Sequence, residues 1–223
     1  MSISTCELGV LFDWDGVIID SSRQHELSWE RLAAEEGRPL PADHFVRGFG
    51  KKNEVIIPDI LGWTEDPVEV HRLSLRKEAM YREVVIETGI EPLPGVHHFL
   101  RTLQDAAVPA CVGSSTHRLN IDTILEVMGF SGLFAGIVTA EDVDQGKPHP
   151  DVFLKAAAKI DRSPSYSVVF EDALAGVEAG RAAGAKVVGV ASTHDVPTLE
   201  PLVDRVVHQL DELAVADLVA LFD

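Results

Sequence analysis

The amino-acid sequence predicts an α/β fold, with a parallel β-sheet core and one inserted segment that is mostly helical. Beyond about residue 93, short apolar runs alternate with segments of helical periodicity, and strands that alternate with helices pair in parallel. Between residues 20 and 92 the periodicity is helical and shows no strand pattern. The breaker cluster Pro92-Leu93-Pro94-Gly95 marks the change. We therefore predict a core of residues 1–20 and 93–223 and a helical domain of residues 21–92.

Composition and charge narrow the possible functions. Hydrophobic residues make up 46% of the 223 residues, enough for a substantial core, and the net charge of −17 argues against nucleic acid or membrane as a partner. Cys6 and Cys111 lack metal-ligand spacing, which indicates buried, reduced thiols in a cytoplasmic protein. The first apolar run breaks at Asp13, too early for a signal peptide, and no run is long enough to span a membrane. We expect a cytoplasmic monomer.

The first strand ends in two carboxylates. The apolar run from Leu8 to Phe12 is typical of a strand buried on both faces, and Asp13, Trp14, Asp15 and Gly16 follow it. Because side chains alternate along extended backbone, the two aspartates can point the same way. Their mutual repulsion calls for a divalent cation, and oxygen ligands suit Mg²⁺. The alternative is an ordinary helix N-cap with a solvated neighbour.

The inserted segment reads as a series of helices. Asp20, Ser21 or Ser22 can cap the first of them, and Gly37 ends it. The predicted helices cover Arg23–Glu36, a short stretch around 43–47, Lys52–Leu61 with a possible break at Pro58, and Pro67–Ile86.

The second half alternates between the two kinds of element. We predict strands at 109–112, 136–139, 167–170, 186–190 and 205–207, and helices at 96–107, 119–128, 150–160 and 173–183.

Polar side chains gather where these strands end. Ser114 follows the second strand, and Glu171 with Asp172 follows a later one. Ligands of parallel sheets bind outside the carboxyl ends of the strands, so these groups should meet Asp13 and Asp15 in one crevice. Four acids at one edge predict Mg²⁺ binding. Each group also has an ordinary explanation, since acids favour helix N-termini and serine commonly caps a helix, although a capping serine also suits an anion site.

Lys147 lies in the loop Gly146-Lys147-Pro148-His149-Pro150. A loop lysine is usually solvated, but the flanking glycine and prolines restrict the backbone and can fix its position. The sequence leaves both interpretations open. His149 is expected at the surface.

Taken together, these motifs resemble the haloacid dehalogenase superfamily of phosphotransferases. The matching residues are Asp13-Trp14-Asp15-Gly16-Val17, Ser114, Lys147 in Gly-Lys-Pro, and Glu171-Asp172, in the family's order along the whole chain. The resemblance implies a Rossmann-like core with an inserted helical cap, about Ser21 to Pro92. The chain is most similar to the branch that contains β-phosphoglucomutase and small phosphatases.

The resemblance also implies roles for individual residues. Asp13 matches the nucleophile and Asp15 the general acid/base. Ser114, with Ser115 beside it, and Lys147 match the phosphate-binding positions. The Mg²⁺ ligands match Asp13, the Asp15 carbonyl and Asp172, with Glu171 in support.

Cap residues bear on the choice of substrate. Ser21, His25 and Lys77 match the mutase-like branch, although serine replaces its usual threonine. Lys51 stands where that branch favours arginine, and lysine offers a point charge where arginine offers a bidentate fork. His117 and Arg118 stand where the branch usually has Lys-Asn, although Arg118 could still serve a second phosphate.

Basic residues also cluster in the cap, around 47–52 and 72–82, as a solvated helix surface or as ligand contacts. We therefore expect a Mg²⁺-dependent phosphatase that hydrolyses a small, sugar-phosphate-like monoester through an aspartyl-phosphate. The alternative is a hexose-phosphate mutase of the β-phosphoglucomutase type. A non-catalytic phosphate-binding or scaffolding protein is the third possibility.

Overall fold

The structure, a computed structural model, describes residues 3–48 and 51–223. The strands are β1 Gly9–Phe12, β2 Ala110–Gly113, β3 Gly136–Val138, β4 Ser167–Glu171, β5 Lys186–Val190 and β6 Arg205–Val207. The α-helices are α1 Ser22–Glu36, α2 His44–Gly48, α3 Asn53–Val55, α4 Pro67–Thr88, α5 Val96–Asp105, α6 Arg118–Met128, α7 Asp151–Lys159, α8 Leu174–Ala182, α9 Val196–Leu199 and α10 Val215–Ala220. In the described part of the chain, no helix combines the length and apolar character that crossing a membrane requires.

The chain divides into two compact units. One runs up to Asp20 and resumes over Glu91–Asp223, and the other is Ser21–Ile90. We call the first the core unit and the second the helical unit. The catalytic role predicted for the core and the substrate-selecting role predicted for the cap remain predictions.

The core unit is built on one parallel sheet. Its described strands run in the order β3-β2-β1-β4-β5-β6, and every neighbouring pair is parallel. This confirms the predicted α/β class. Phe12, the last residue of β1, pairs with Val112 of β2 and Phe170 of β4. The strand ends are therefore level, and the residues that follow them emerge side by side.

Both faces of this sheet are covered, which explains why its central strands are apolar throughout. On one face Leu11 and Val169 belong to a buried cluster with Phe153 of α7. On the other face the rings of Phe12 and Phe170 stack at 5.1 Å, and Phe99 of α5 meets Phe170 edge-on. These packed layers fix the strand ends that carry the polar groups.

Three features of the core unit differ from what the sequence led us to expect. Short helices α9 and α10 were not predicted, because four and six residues give too little periodicity to recognise. Cys111 is buried, but Cys6 is exposed, since it precedes the first strand and lies outside the packed layers. Ser114 does not cap the helix after β2, because α6 begins only at Arg118 and its N-cap residue is His117.

The helical unit follows the predicted pattern closely. Helix α1 ends at Gly37, which has a left-handed φ of 62°, and Asp66 caps α4 by accepting a hydrogen bond from Val68 N. The break expected at Pro58 is a π-helical turn over Ile56–Ile60. Ser21 is the N-cap residue of α1, but its side chain makes no capping hydrogen bond.

Two arginines of the basic cluster on α4 are engaged with acids of α1. Arg72 lies 2.7 Å from Glu36, and Arg76 lies 2.7 Å from Glu35. Exposed pairs of this kind contribute little stability each. For these two arginines, the structure favours the helix-surface interpretation.

Candidate active site

The candidate site lies at the carboxyl ends of β1, β2 and β4. Asp13 follows β1, and its backbone N–H donates to Phe170 O at 3.0 Å. Ser114 follows β2 and is held by a 3.0 Å hydrogen bond from its own N–H to Val138 O. Backbone bonds between neighbouring strands thus extend past the strand ends and hold the functional residues in position.

Lys147 joins two of the acids. Its Nζ lies 2.7 Å from Asp13 Oδ1 and 2.6 Å from Glu171 Oε1, and 4.9 Å from the centre of the Phe153 ring. Burial opposes the charge on Lys147, but the two carboxylates outweigh this and raise its pKa above the usual range. The sequence left open whether Lys147 is solvated or held in place, and in the structure it is held in place by the two carboxylates. His149, two residues on, is half-buried, so the surface position expected for it is only partly met.

Glu171 is completely buried, and both of its carboxylate oxygens accept hydrogen bonds. Oε1 accepts from Lys147, and Oε2 accepts from the backbone N–H groups of Asp172 and Ala173, both at 3.0 Å. Burial raises the pKa of Glu171, while Lys147 and the backbone N–H donors favour its ionised form. The space beside the carboxylate exists because residue 176 is glycine, since a Cβ there would overlap it.

Asp172 completes a cluster suited to a cation. Each of Asp13, Glu171 and Asp172 offers a carboxylate oxygen, and these oxygens lie within 4.8 Å of one another. Burial and the charge of Asp13 raise the pKa of Asp172 to about 6, although the Thr193 hydroxyl opposes the shift. A bound cation would relieve this repulsion, and an all-carboxylate donor set fits Mg²⁺. Because Glu171 already accepts three hydrogen bonds, Asp13 and Asp172 are the better direct ligands.

The loop after β5 supports this cluster, although its role was not predicted from the sequence. Ser192 Oγ donates to Gly16 O at 2.5 Å and lies 3.4 Å from Asp172 Oδ2. Gly16 has a φ of 79°, and a Cβ on it would overlap the Asp172 carboxylate. Serine and threonine after a strand are common turn residues, so no sequence pattern indicates this contact.

A second group connects Asp15 to Ser114. The Thr116 hydroxyl donates to Asp15 Oδ2 at 2.6 Å, and the Thr116 backbone N–H donates to Ser114 Oγ at 3.0 Å. Ser114 is buried and Ser115 is exposed. Thr116 was not singled out from the sequence, because it lies in the Ser-Ser-Thr run that resembles any polar loop.

His117 and Arg118 are engaged with acids of the core unit. His117 Nδ1 lies 2.9 Å from Glu141 Oε1, and Arg118 Nε donates to Asp122 Oδ1 at 2.9 Å. All four side chains are about half exposed. In this arrangement neither residue offers an unpaired positive charge.

The predicted residues of the helical unit form a group of their own. Lys77 is buried, with Nζ 2.6 Å from His25 Nδ1 and 3.0 Å from Glu78 Oε1. Burial and the Lys77 charge lower the pKa of His25, so its ring is neutral near pH 7 and accepts the Lys77 hydrogen bond. Ser21 is buried beside the start of α1, whereas Lys51 is exposed on the loop before α3.

The parallel sheet, the acidic cluster and the buried lysine thus form one candidate site at the strand ends. A family model for haloacid dehalogenase-like hydrolases matches residues 8–184, and the chain belongs to that family. The resemblance drawn from the motifs is confirmed, and so is the prediction that the protein is an enzyme.

Relatives and solved structures agree with this placement. The chain is 36% identical to the chloroplastic 5-amino-6-(5-phospho-D-ribitylamino)uracil phosphatase of Arabidopsis thaliana, over 97% of this chain and 58% of that protein's length. It is 34% identical to the β-phosphoglucomutase of Bacillus subtilis, over 81% of this chain and 82% of that protein. The crystal structure of a HAD hydrolase, family IA, variant 3 from Entamoeba histolytica is 27% identical, with a TM-score of 0.84 over 96% of this chain and 98% of that one.

Proposed function

We propose that the protein is a Mg²⁺-dependent phosphatase that hydrolyses a small, sugar-phosphate-like monoester through an aspartyl-phosphate on Asp13. One observation carries the proposal: the Asp13 carboxylate lies 2.7 Å from the Lys147 ammonium and in one acidic cluster with Asp172. A carboxylate beside a buried cation and a cation-binding cluster is what attack on a phosphate dianion requires. The named phosphatase among the relatives supports the same reaction.

The reaction proceeds by two transfers of the phosphoryl group. An Asp13 carboxylate oxygen forms a bond to phosphorus as the bond to the ester oxygen breaks, and Asp15 donates a proton to that departing oxygen. Water then attacks the phosphorus of the aspartyl-phosphate while Asp15 takes up a proton, which releases phosphate and restores Asp13. Lys147 and the Ser114–Ser115 loop hold the phosphoryl oxygens.

Asp13, the Asp15 carbonyl and Asp172 would hold Mg²⁺, and Glu171 would support them by fixing Lys147. Bound Mg²⁺ supplies positive charge that offsets repulsion between the carboxylate nucleophile and the phosphate. We place this activity in the cytoplasm, in a monomer that acts on a phosphorylated metabolite.

The second candidate is a hexose-phosphate mutase. The Bacillus subtilis relative favours it, as does the Lys77–His25 pair of the helical unit. A mutase must hold a second phosphate through two transfers and exclude water meanwhile. Lys51 lacks the bidentate fork for that task, and Arg118 and His117 are already engaged with Asp122 and Glu141. We therefore favour hydrolysis.

A direct comparison of products separates the two candidates. With β-glucose 1-phosphate and a trace of the 1,6-bisphosphate, we expect free phosphate to form at least as fast as glucose 6-phosphate, because water reaches the aspartyl-phosphate. A turnover screen over phosphorylated metabolites then identifies the preferred ester. Glucose 6-phosphate that forms much faster than free phosphate would establish the mutase.

A further inference from the structure

We propose that Thr116 is a positioning residue that fixes the orientation of the Asp15 carboxyl group for proton transfer to the leaving group. The inference rests on the proposed function, because it assigns Thr116 a part in the proton transfer. Asp15 Oδ2 accepts a 2.6 Å hydrogen bond from the Thr116 hydroxyl, a distance typical of a hydroxyl bonded to a carboxylate oxygen.

The threonine is itself held in place. Its backbone N–H donates to Ser114 Oγ at 3.0 Å, and Ser114 is 2% exposed and anchored to the end of β3 through Val138 O. A chain of contacts thus runs from the sheet through Ser114 and Thr116 to Asp15. The Thr116 side chain is only partly exposed, so its hydroxyl has a defined partner and limited access to water.

The geometry has a chemical consequence. The hydroxyl that donates to Oδ2 fixes the position of that oxygen. The same bond limits rotation of the carboxyl group, and small misplacements of a catalytic group can cost on the order of 100-fold in rate. Both effects matter when the leaving oxygen needs a proton, and neither matters when it leaves readily as an anion.

The dependence on leaving group gives a test that a purely structural role would not pass. Thr116→Val removes the hydroxyl and keeps the shape, and kcat/KM reports the steps up to loss of the alcohol. For the best alkyl ester of the screen, we expect kcat/KM to fall by about 10- to 100-fold. For p-nitrophenyl phosphate, whose nitrophenolate leaves without protonation, we expect a fall of about threefold or less.

Two comparisons isolate the role. Thr116→Ser should restore the alkyl-ester rate, and Thr116→Val should cost nothing further in an Asp15→Asn background, because the two residues act as one unit. Thr123→Val is the matched control, since that hydroxyl bonds only to Leu119 O among the contacts described on the exposed face of α6. If Thr116→Val is poorly folded, Thr116→Ala is measured in its place.

Equal losses on the two esters, or no loss on either, would overturn the inference while leaving the phosphatase proposal standing. An additional loss in the Asp15→Asn background would overturn it too. Failure of the unaltered protein to hydrolyse any ester of the screen would instead reject the proposed function, and the role of Thr116 with it.

Discussion

Asp13→Asn is expected to remove nearly all turnover and to leave the fold intact. Asparagine is close to aspartate in size, so the contacts at the end of β1 survive, but its amide oxygen cannot form the phosphoenzyme. Loss of a covalent nucleophile costs on the order of 10⁴-fold or more in kcat. Phosphate release from the best ester of the screen measures the effect, and the melting temperature checks the fold.

The matched control for this substitution is Asp105→Asn, which removes an exposed carboxylate at the end of α5. Its turnover should equal that of the unaltered protein, which excludes a general effect of lost negative charge. A folded Asp13→Asn protein with near-normal turnover would reject the aspartyl-phosphate mechanism.

Removal of the metal should reduce turnover almost as much as the Asp13→Asn substitution does. Without a cation, the phosphate dianion meets the carboxylates of Asp13, Glu171 and Asp172, and Lys147 offsets only part of their negative charge. We expect excess chelator to abolish phosphate release and added Mg²⁺ to restore it. Calcium should bind but support little turnover, because its larger and looser coordination shell misplaces the nucleophile relative to the phosphate.

Asp172→Ala separates metal binding from turnover. We expect it to weaken Mg²⁺ binding in calorimetry at least tenfold, because it removes one of the two best direct ligands. Glu178→Ala, an exposed acid on α8, should bind Mg²⁺ as the unaltered protein does. Full activity in excess chelator would show that the acidic cluster serves another purpose.

The strand ends explain why so much of the core site could be predicted from the sequence. Residues 8–12 and 168–170 are continuous apolar runs that stop at carboxylates, and a parallel sheet brings the ends of such runs to one edge. The structure places Asp13, Glu171 and Asp172 in one cluster there. Lys147 was harder to predict, because its position depends on contacts with acids distant along the chain.

The hydroxyl groups show where sequence reasoning stops. Thr116 contacts the Asp15 carboxylate, and Ser192 contacts the carbonyl of Gly16. Both lie in polar loops where threonine and serine are common residues. These loops lie close together because the strands that precede them end at the same level of the sheet. The same limit applies to Arg72 and Arg76, whose partners Glu36 and Glu35 lie on another helix.

The central claim is that the phosphoryl group passes through Asp13. The most direct test mixes the enzyme and Mg²⁺ with acetyl phosphate, quenches in acid within milliseconds, and maps the modified peptide by mass spectrometry. We predict one added phosphoryl group on Asp13 and none in the Asp13→Asn protein. Turnover of this substrate with no adduct at any quench time, or with the adduct on another residue, would contradict the account.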